Sequence, residues 1–311
     1  MKPDLGRGGS EEPLAPPPDS KSPPSLVSVV IPALNAADVI GGQLEALSRQ
    51  TYTGPWEVVV VDNGSTDGTA EVAAGWADRL PGLRVVDASA RRGHTVARNA
   101  GAAAATGDFL LYCDADDVAY PGWVAAMAEA AASGDVLGGY LETETLNNDN
   151  NRSWRMRQRL DRLPTKMGFL PLAITANFGI RKSVLLWIGG FNEDYAEGCN
   201  DVEVSWRAQV AGYELCFVPE AVMAYRLRTS LRGLAKQMYR RGLAEPQLYR
   251  DFRPHGVPKR SALRMAGGWA KLIVDLPLVL QGPGPRGQWV TRVATLAGRA
   301  RGSIQHRSLY L

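Results

Sequence analysis

Histidine and cysteine are both scarce, with three of each in 311 residues. His94, His255 and His306 are too few and too scattered to build a zinc site. Cys113, Cys199 and Cys216 are an odd, widely spaced set with no CxxC pair and no disulfide framework. A reducing compartment, the cytoplasm, is therefore the expectation. No uninterrupted apolar run reaches the roughly 18 residues needed to span a bilayer. The nearest, Trp269 to Leu280, is broken by Lys271, Asp275 and Pro277 and at most lies on a membrane surface. Met1 to about Ser25 lacks the apolar core of a signal peptide. This segment is rich in proline, glycine, serine and acids, with the run Pro16-Pro17-Pro18. It has too little apolar surface to offset its ordering entropy, so disorder is expected over residues 1–25.

What is present suits a globular enzyme, 45% hydrophobic and 22% charged. The length accommodates one large α/β domain with appendages, or two modest domains. A net charge of +3 hides an asymmetry. From Arg226 to the end, 17 Lys/Arg face three acids, whereas Met1 to Tyr225 holds 18 basic and 29 acidic residues. A basic, mainly helical extension over 226–311 can face anionic lipid, nucleic acid, phosphorylated ligands or an acidic partner. A solvated helical surface accounts for the same charge equally well.

From Leu26 the pattern alternates. Leu26 to Ile31 is a short β-branched run ended by Pro32, which reads as a buried parallel strand. Ile40 to Leu47 has helical spacing, and Trp56 to Val61 is a second strand. The string Asp62-Asn63-Gly64-Ser65-Thr66-Asp67-Gly68 then turns the chain into a helix from Thr69 to Leu80. Leu83 to Val86 is a third strand, His94 to Ala105 an alanine-rich helix, and Asp108 to Cys113 a fourth strand. This alternation predicts an α/β fold with a mostly parallel sheet and helices on both faces. In such sheets ligands bind beyond the carboxyl ends of the strands, where the clusters Asp62–Asp67 and Asp114–Asp117 fall.

Asp114-Ala115-Asp116-Asp117 follows the fourth strand directly. Three carboxylates within four residues repel one another unless a cation or donor groups compensate them. Hard oxygen ligands suit Mg²⁺ or Mn²⁺, which would bridge a diphosphate. The alternative is an acidic cap, with Asp117 or Asp116 at the N-terminus of the helix that Pro121-Gly122-Trp123 opens.

Four motifs occur in order: Val-Ser-Val-Val-Ile-Pro-Ala-Leu-Asn (27–35), Val-Val-Val-Asp-Asn-Gly-Ser-Thr-Asp-Gly-Thr (59–69), Ala-Arg-Asn-Ala-Gly (97–101) and Ala-Thr-Gly-Asp-Phe-Leu-Leu-Tyr-Cys-Asp-Ala-Asp-Asp (105–117). With them, Val27 to about Ala126 resembles the family 2 glycosyltransferases, whose Rossmann-like fold is called GT-A. The resemblance implies that Pro32, Ala33 and Asn35 line a nucleotide pocket, that Asp62 accepts from the base, and that Arg98 sits near the nucleotide. It implies Asp114 and Asp116 as holders of ribose and metal, with Ala115 between them in the nucleotide-sugar site. Asp67 reads more simply as a cap for the helix from Thr69, and Arg98 has pairing with a structural carboxylate as an alternative. Family members often carry Asp-Asp where this chain has Asp62-Asn63, which bears on ribose or base contacts.

Transfer to a hydroxyl also needs a general base. Family members place a Glu-Asp pair at the start of a later helix. This chain reads Gly198-Cys199-Asn200-Asp201-Val202-Glu203, keeping the Asp and losing the preceding acid. Asp201 is the implied base, with a plain first-turn helix acid as the alternative. Asn200 is expected as the helix cap, and Glu203 as the reserve base. Asn177, in Thr175 to Ile180, is expected to touch sugar. Leu141 to Gly168, with Trp154, Arg155, Arg157 and Arg159, reads as a loop able to close over the donor.

The resulting division is a disordered segment (1–25), a GT-A domain (26–225) with a nucleotide-sugar half (26–126) and an acceptor half (127–225), and the basic extension (226–311). The implied reaction is an inverting transfer of one sugar from a nucleotide-sugar donor, UDP-sugars favoured, to a small-molecule or lipid-linked acceptor. The Gln-x-x-Arg-Trp motif of the family's processive synthases is not matched by Gln237 to Arg241, and no downstream histidine occurs in Ala221 to Arg226. The extension is expected to make peripheral contact with anionic membrane, and no nucleic acid is expected as partner. A nucleotidyltransferase would want a glycine-rich phosphate loop after the first strand, which Pro32-Ala-Leu-Asn35 is not. A non-catalytic nucleotide-sugar-binding protein is the third reading, weighed against by the retention of Asp114, Asp116 and Asp201.

Overall fold

The protein is seen in a computed structural model that describes residues 21–154 and 162–310. Arg155, Arg157 and Arg159 of the expected donor-closing loop, and most of the expected disordered segment, lie outside the described residues. The first half runs β1 (Val27–Ala33), α1 (Ala37–Ser48), β2 (Trp56–Asp62), α2 (Thr69–Ala74), β3 (Arg84–Asp87), α3 (His94–Ala104), β4 (Phe109–Cys113), β5 (Val118–Ala119) and α4 (Trp123–Ala130). The second half continues with β6 (Val136–Glu142), α5 (Asp149–Ser153), β7 (Asn177–Arg181), α6 (Lys182–Trp187), α7 (Asn200–Val210) and β8 (Leu215–Ala224). The extension carries α8 (Leu231–Phe252), α9 (Ala262–Val274) and α10 (Pro283–Gln305).

All eight strands form one sheet in the order β3-β2-β1-β4-β7-β6-β8-β5. Strands β1 to β4 pair in parallel, and the near-continuous apolar runs of β1, β2 and β4 suit a sheet covered on both faces. Side chains alternate across this sheet: Val29 and Ile31 join α1 and α4 in one core, while Val30, Val59 and Val61 join α3, α6 and α7 in the other. Beyond β4 the sheet becomes mixed, because β7 runs antiparallel to both β4 and β6. The chain progresses from β1 to β2 to β3, then crosses back through α3 to β4 on the far side of β1. The loops after β1 and β4 therefore diverge, leaving a crevice at the carboxyl edge. One expected element is shorter than its pattern: α2 stops at Ala74, not Leu80, because Gly75 breaks it and tight turns carry the chain to Leu80.

Residues 21–25 sit on the domain: the Ser25 and Leu26 amides donate to Asp108 at 3.0 and 3.1 Å, and Arg181 donates to the Ser22 carbonyl. No helix among the described residues is long and apolar enough to cross a membrane.

The extension shares a core with the acceptor half. Ala244, Leu248 and Phe252 of α8 pack with Val202 and Trp206 of α7, and the Trp206 ring meets Phe169 and Phe252 edge-on. Helices α8 and α10 approach so closely that a Cβ at Gly242, Gly298 or Gly302 would collide with backbone of the facing helix. Inside this layer Glu245 is buried between Lys166, at 2.8 Å, and Arg299, at 2.5 Å. Burial alone would raise its pKa, but the two cations hold it down to about 2, from an ordinary value of 4.5. A carboxylate whose pKa is depressed on folding adds stability that is present above about pH 4.5 and lost as the pH falls toward 2. Glu245→Gln, which strands both cations, is expected to cost about 3–5 kcal/mol. It should also flatten the acid limb of a melting-temperature profile over that window; a wild-type-like limb would refute the assignment.

Candidate active site

Three loops meet at the carboxyl edge. Asn35 follows β1 with φ +50, and its Oδ1 accepts the Thr66 amide at 2.9 Å while its own amide donates to Ser65 at 2.9 Å. Asp62 ends β2, and both of its carboxylate oxygens lie 3.3 Å from the Ser65 amide. Asp67 accepts from the amides of Ala37 and Thr69 at 3.0 and 3.1 Å, tying together the N-termini of α1 and α2. The Thr69 hydroxyl and these amides hold its carboxyl below the usual carboxylate range. Asp67 is therefore a helix-end anchor rather than an open ligand group. Pro32 is half-buried within β1. Ala33 and Ala115 are buried among core residues, so any part they take in a pocket is through backbone.

Asn63 has a structural job. It is buried, donates to the carbonyls of Ala88 and Arg91 at 2.8 and 3.0 Å, and accepts the Gly93 amide at 2.7 Å. A carboxylate could not donate the first two bonds, so asparagine here fixes the approach to α3.

The acidic turn after β4 brings Asp114, Asp116 and Asp117 together, with one oxygen of each within 4.8 Å of the others. Neither Asp116 nor Asp117 caps a helix: α4 starts after Gly122 without a side-chain cap. Asp117 is only 1% exposed; Oδ1 accepts the Arg226 amide at 2.8 Å, and the buried Oδ2 has no hydrogen-bond partner. Burial pushes the Asp116 carboxyl up, with the Asp114 charge adding to it. Burial and then both neighbouring carboxylates push Asp117 up further. An orphaned buried carboxylate oxygen among hard oxygen donors fits a divalent cation.

Two arginines from the extension border this cluster. The two-residue β5 pairs with the end of β8, Val118 with Ala224, which lays the next residues beside the turn. Arg226 Nε donates to the Asp116 carbonyl at 2.7 Å, and Arg228 Nη1 lies 4.0 Å from Asp116 Oδ2.

Arg98 joins the two halves of the site. Buried on α3, it donates to Asn200 Oδ1 at 2.9 Å and reaches Asp114 at 3.4 Å, with its guanidinium 5.7 Å from the Phe191 ring centroid. Asn200 is thus the first residue of α7 and an acceptor for Arg98, not its cap; the capping position falls on Cys199, in the left-handed region at φ +59. Asp201, next along, is half-buried in the first turn, with Oδ1 accepting the Val202 amide at 2.9 Å. Among the described residues no cation lies within ion-pair reach of it. Glu203 is excluded as a reserve base, because it is buried and bonded in two places to Arg207, at 2.7 and 2.9 Å. Asn177 is corrected as well: at 1% exposure it accepts from Trp123 at 2.8 Å and donates to the carbonyls of Tyr140 and Ala221 at 3.0 and 2.8 Å. Its amide knits β6, β7 and β8 together and does not face a ligand.

The family described as Glycosyl transferase family 2 matches residues 28–187. The glycosyltransferase AglE of Haloferax volcanii is 29% identical over 72% of this chain and 74% of its own length. A PGL/p-HBAD biosynthesis glycosyltransferase of Mycobacterium bovis is 31% identical over 55% of this chain and 64% of its own. Among solved structures, the mannosyltransferase of Pyrobaculum calidifontis in complex with GDP-Man and Mn²⁺ aligns with a TM-score of 0.62 at 21% identity, covering 94% of this chain and 90% of that one. Residues 1–349 of Staphylococcus aureus TarS, solved with UDP, align with a TM-score of 0.52 at 19% identity, covering 92% and 93%. The fold is that of the GT-A glycosyltransferases, with a helical C-terminal extension, and the chain belongs to glycosyltransferase family 2.

Proposed function

We propose that the enzyme transfers a single sugar, with inversion, from a nucleotide-sugar donor to an acceptor hydroxyl, with Asp201 as the general base. The observation that carries this reading is Arg98, which binds both Asp114 in the acidic turn and Asn200, the neighbour of Asp201. A donor at the carboxyl edge and a base at the head of α7 then face one crevice. Asp62 receives the base of the nucleotide, Asn35 and Pro32 border it, and Asp114 takes the ribose side. Asp201 accepts the proton of the acceptor hydroxyl as its oxygen attacks the anomeric carbon, and the bond to the nucleoside diphosphate breaks.

Asp114, Asp116 and Asp117 would hold Mg²⁺ or Mn²⁺, which when bound offsets the charge on the departing diphosphate. Arg228, beside Asp116 and half-exposed, adds a protein cation on the same side. A UDP-sugar is the first donor to test; GDP-Man and UDP both occupy proteins of this fold. We place the enzyme in the cytoplasm, where its unpaired cysteines stay reduced.

A thermal-shift screen of UDP-, GDP- and dTDP-sugars with and without Mn²⁺ or Mg²⁺ tests the donor half of this reading. One class should raise the melting temperature, and do so only with metal. No shift for any donor would sink it.

A further inference from the structure

Half of the large apolar side chains that the described residues leave exposed fall within residues 263–280, seven of fourteen, so this surface differs from the rest of the molecule. Helix α9 leaves large apolar side chains on its outer side, where an ordinary surface helix carries polar ones. Its inner side meets α10: Gly268 lies against Leu296, the Trp289 indole donates to the Leu272 carbonyl at 3.0 Å, and buried Asp275 pairs with Arg292 and with Lys271. Its outer side carries Leu263, Ile273 and Val274 at helical spacing, and the turn that follows adds Leu276 and Leu280. Leu263 and Leu280 are 84% and 85% exposed. Trp269, 42% exposed, stands at the margin, as tryptophan does at a lipid headgroup boundary.

We infer that residues 263–280 dock on the surface of an anionic lipid bilayer, with the apolar ridge inserted among the acyl chains. Helix α9, at 13 residues, is too short to span and is apolar on its outer side, the pattern of an interfacial helix. Charge selects the bilayer over a second copy of this chain. Exposed Lys259 and Arg286 flank the ridge in sequence, and the extension as a whole holds 17 basic residues against three acids. The ridge also hangs on the layer that begins at the acidic turn. Helix α8 starts three residues after Arg228, and α10 rests on Ser153 and Trp154 of the acceptor half. A docked molecule holds the extension, and the acceptor half packed on it, close to the membrane surface, where an acceptor with a lipid tail would lie.

The test uses the full chain and no substrate, so its failure and a failure of the sugar-transfer reading are separate results. Vesicles of phosphatidylcholine, alone or with phosphatidylglycerol, are mixed with the protein and sedimented. Binding is expected with phosphatidylglycerol and should weaken with salt. Acyl-chain-brominated lipid should quench part of the tryptophan emission, and Trp269→Phe should remove that part. Ile273→Glu with Leu280→Glu, both at solvent-facing positions, should cut partitioning at least about tenfold while leaving the melting temperature unchanged. Absence of sedimentation in every composition overturns the inference. So does a dimer in light scattering that Ile273→Glu/Leu280→Glu dissolves while brominated lipid leaves Trp269 unquenched.

Discussion

Asp201→Asn is expected to slow turnover by about 10²–10⁴-fold, the usual loss when a general base is removed, while donor affinity stays at the wild-type level. Asparagine keeps the shape and the carbonyl oxygen that accepts the Val202 amide, so the first turn of α7 survives. What it loses is basicity. No neighbouring acid can substitute: Glu203 is buried against Arg207, and position 200 is an asparagine already bonded to Arg98. Donor binding draws on Asp62, Asp114 and the acidic turn, on a different element. A purely structural Asp201 would show the reverse, a lowered melting temperature with near-normal kcat. Thermal melts and single-turnover rates on one preparation separate the two.

The second large effect concerns Asp116. Asp116→Ala should lower kcat by at least about 10²-fold and erase the dependence on Mg²⁺ or Mn²⁺, because the diphosphate loses its counter-charge. Its effect on the metal-free protein runs the other way. Burial and Asp114 both disfavour the Asp116 carboxylate, and that charge raises the pKa of Asp117 in turn. Removing it relieves repulsion, so the metal-free melting temperature should hold or rise, while the increase caused by adding metal disappears. An Asp116→Ala protein that melts lower and still responds to metal would mean that the acidic turn is a structural feature.

The parallel half of the sheet was legible in the sequence because each buried strand is a short apolar run closed by a turn signal, valine-rich in β1 and β2 and aromatic and leucine-rich in β4. Val27–Ala33, Trp56–Asp62 and Phe109–Cys113 all emerge within two residues of the ends the pattern suggests. The acidic turn was legible too, since it follows β4 directly. What lay hidden depends on pairings distant in sequence. Arg226 reaches Asp117 only because β5 meets the end of β8, across 109 positions, and no local pattern marks a two-residue strand. Asn63 and Asn177 look like ligand groups until their amides are traced to buried carbonyls. Glu203 carries a readable sign of its pairing: Arg207 stands four residues on, the spacing of a helical ion pair. The apolar ridge of α9 shows the converse limit. Periodicity reveals an amphipathic helix, and only packing against α10 tells which side faces outward.

In the proposed reaction the sugar leaves a nucleoside diphosphate. Incubation of the full chain with UDP-, GDP- and dTDP-sugars, Mn²⁺ or Mg²⁺, and a lipid-linked or soluble hydroxyl acceptor, with the released nucleotide identified chromatographically, tests it most directly. The expected result is metal-dependent release of a nucleoside diphosphate from one donor class, lost in Asp116→Ala and Asp201→Asn. Pyrophosphate released from a nucleoside triphosphate and a sugar phosphate, with no diphosphate from any donor, would contradict it.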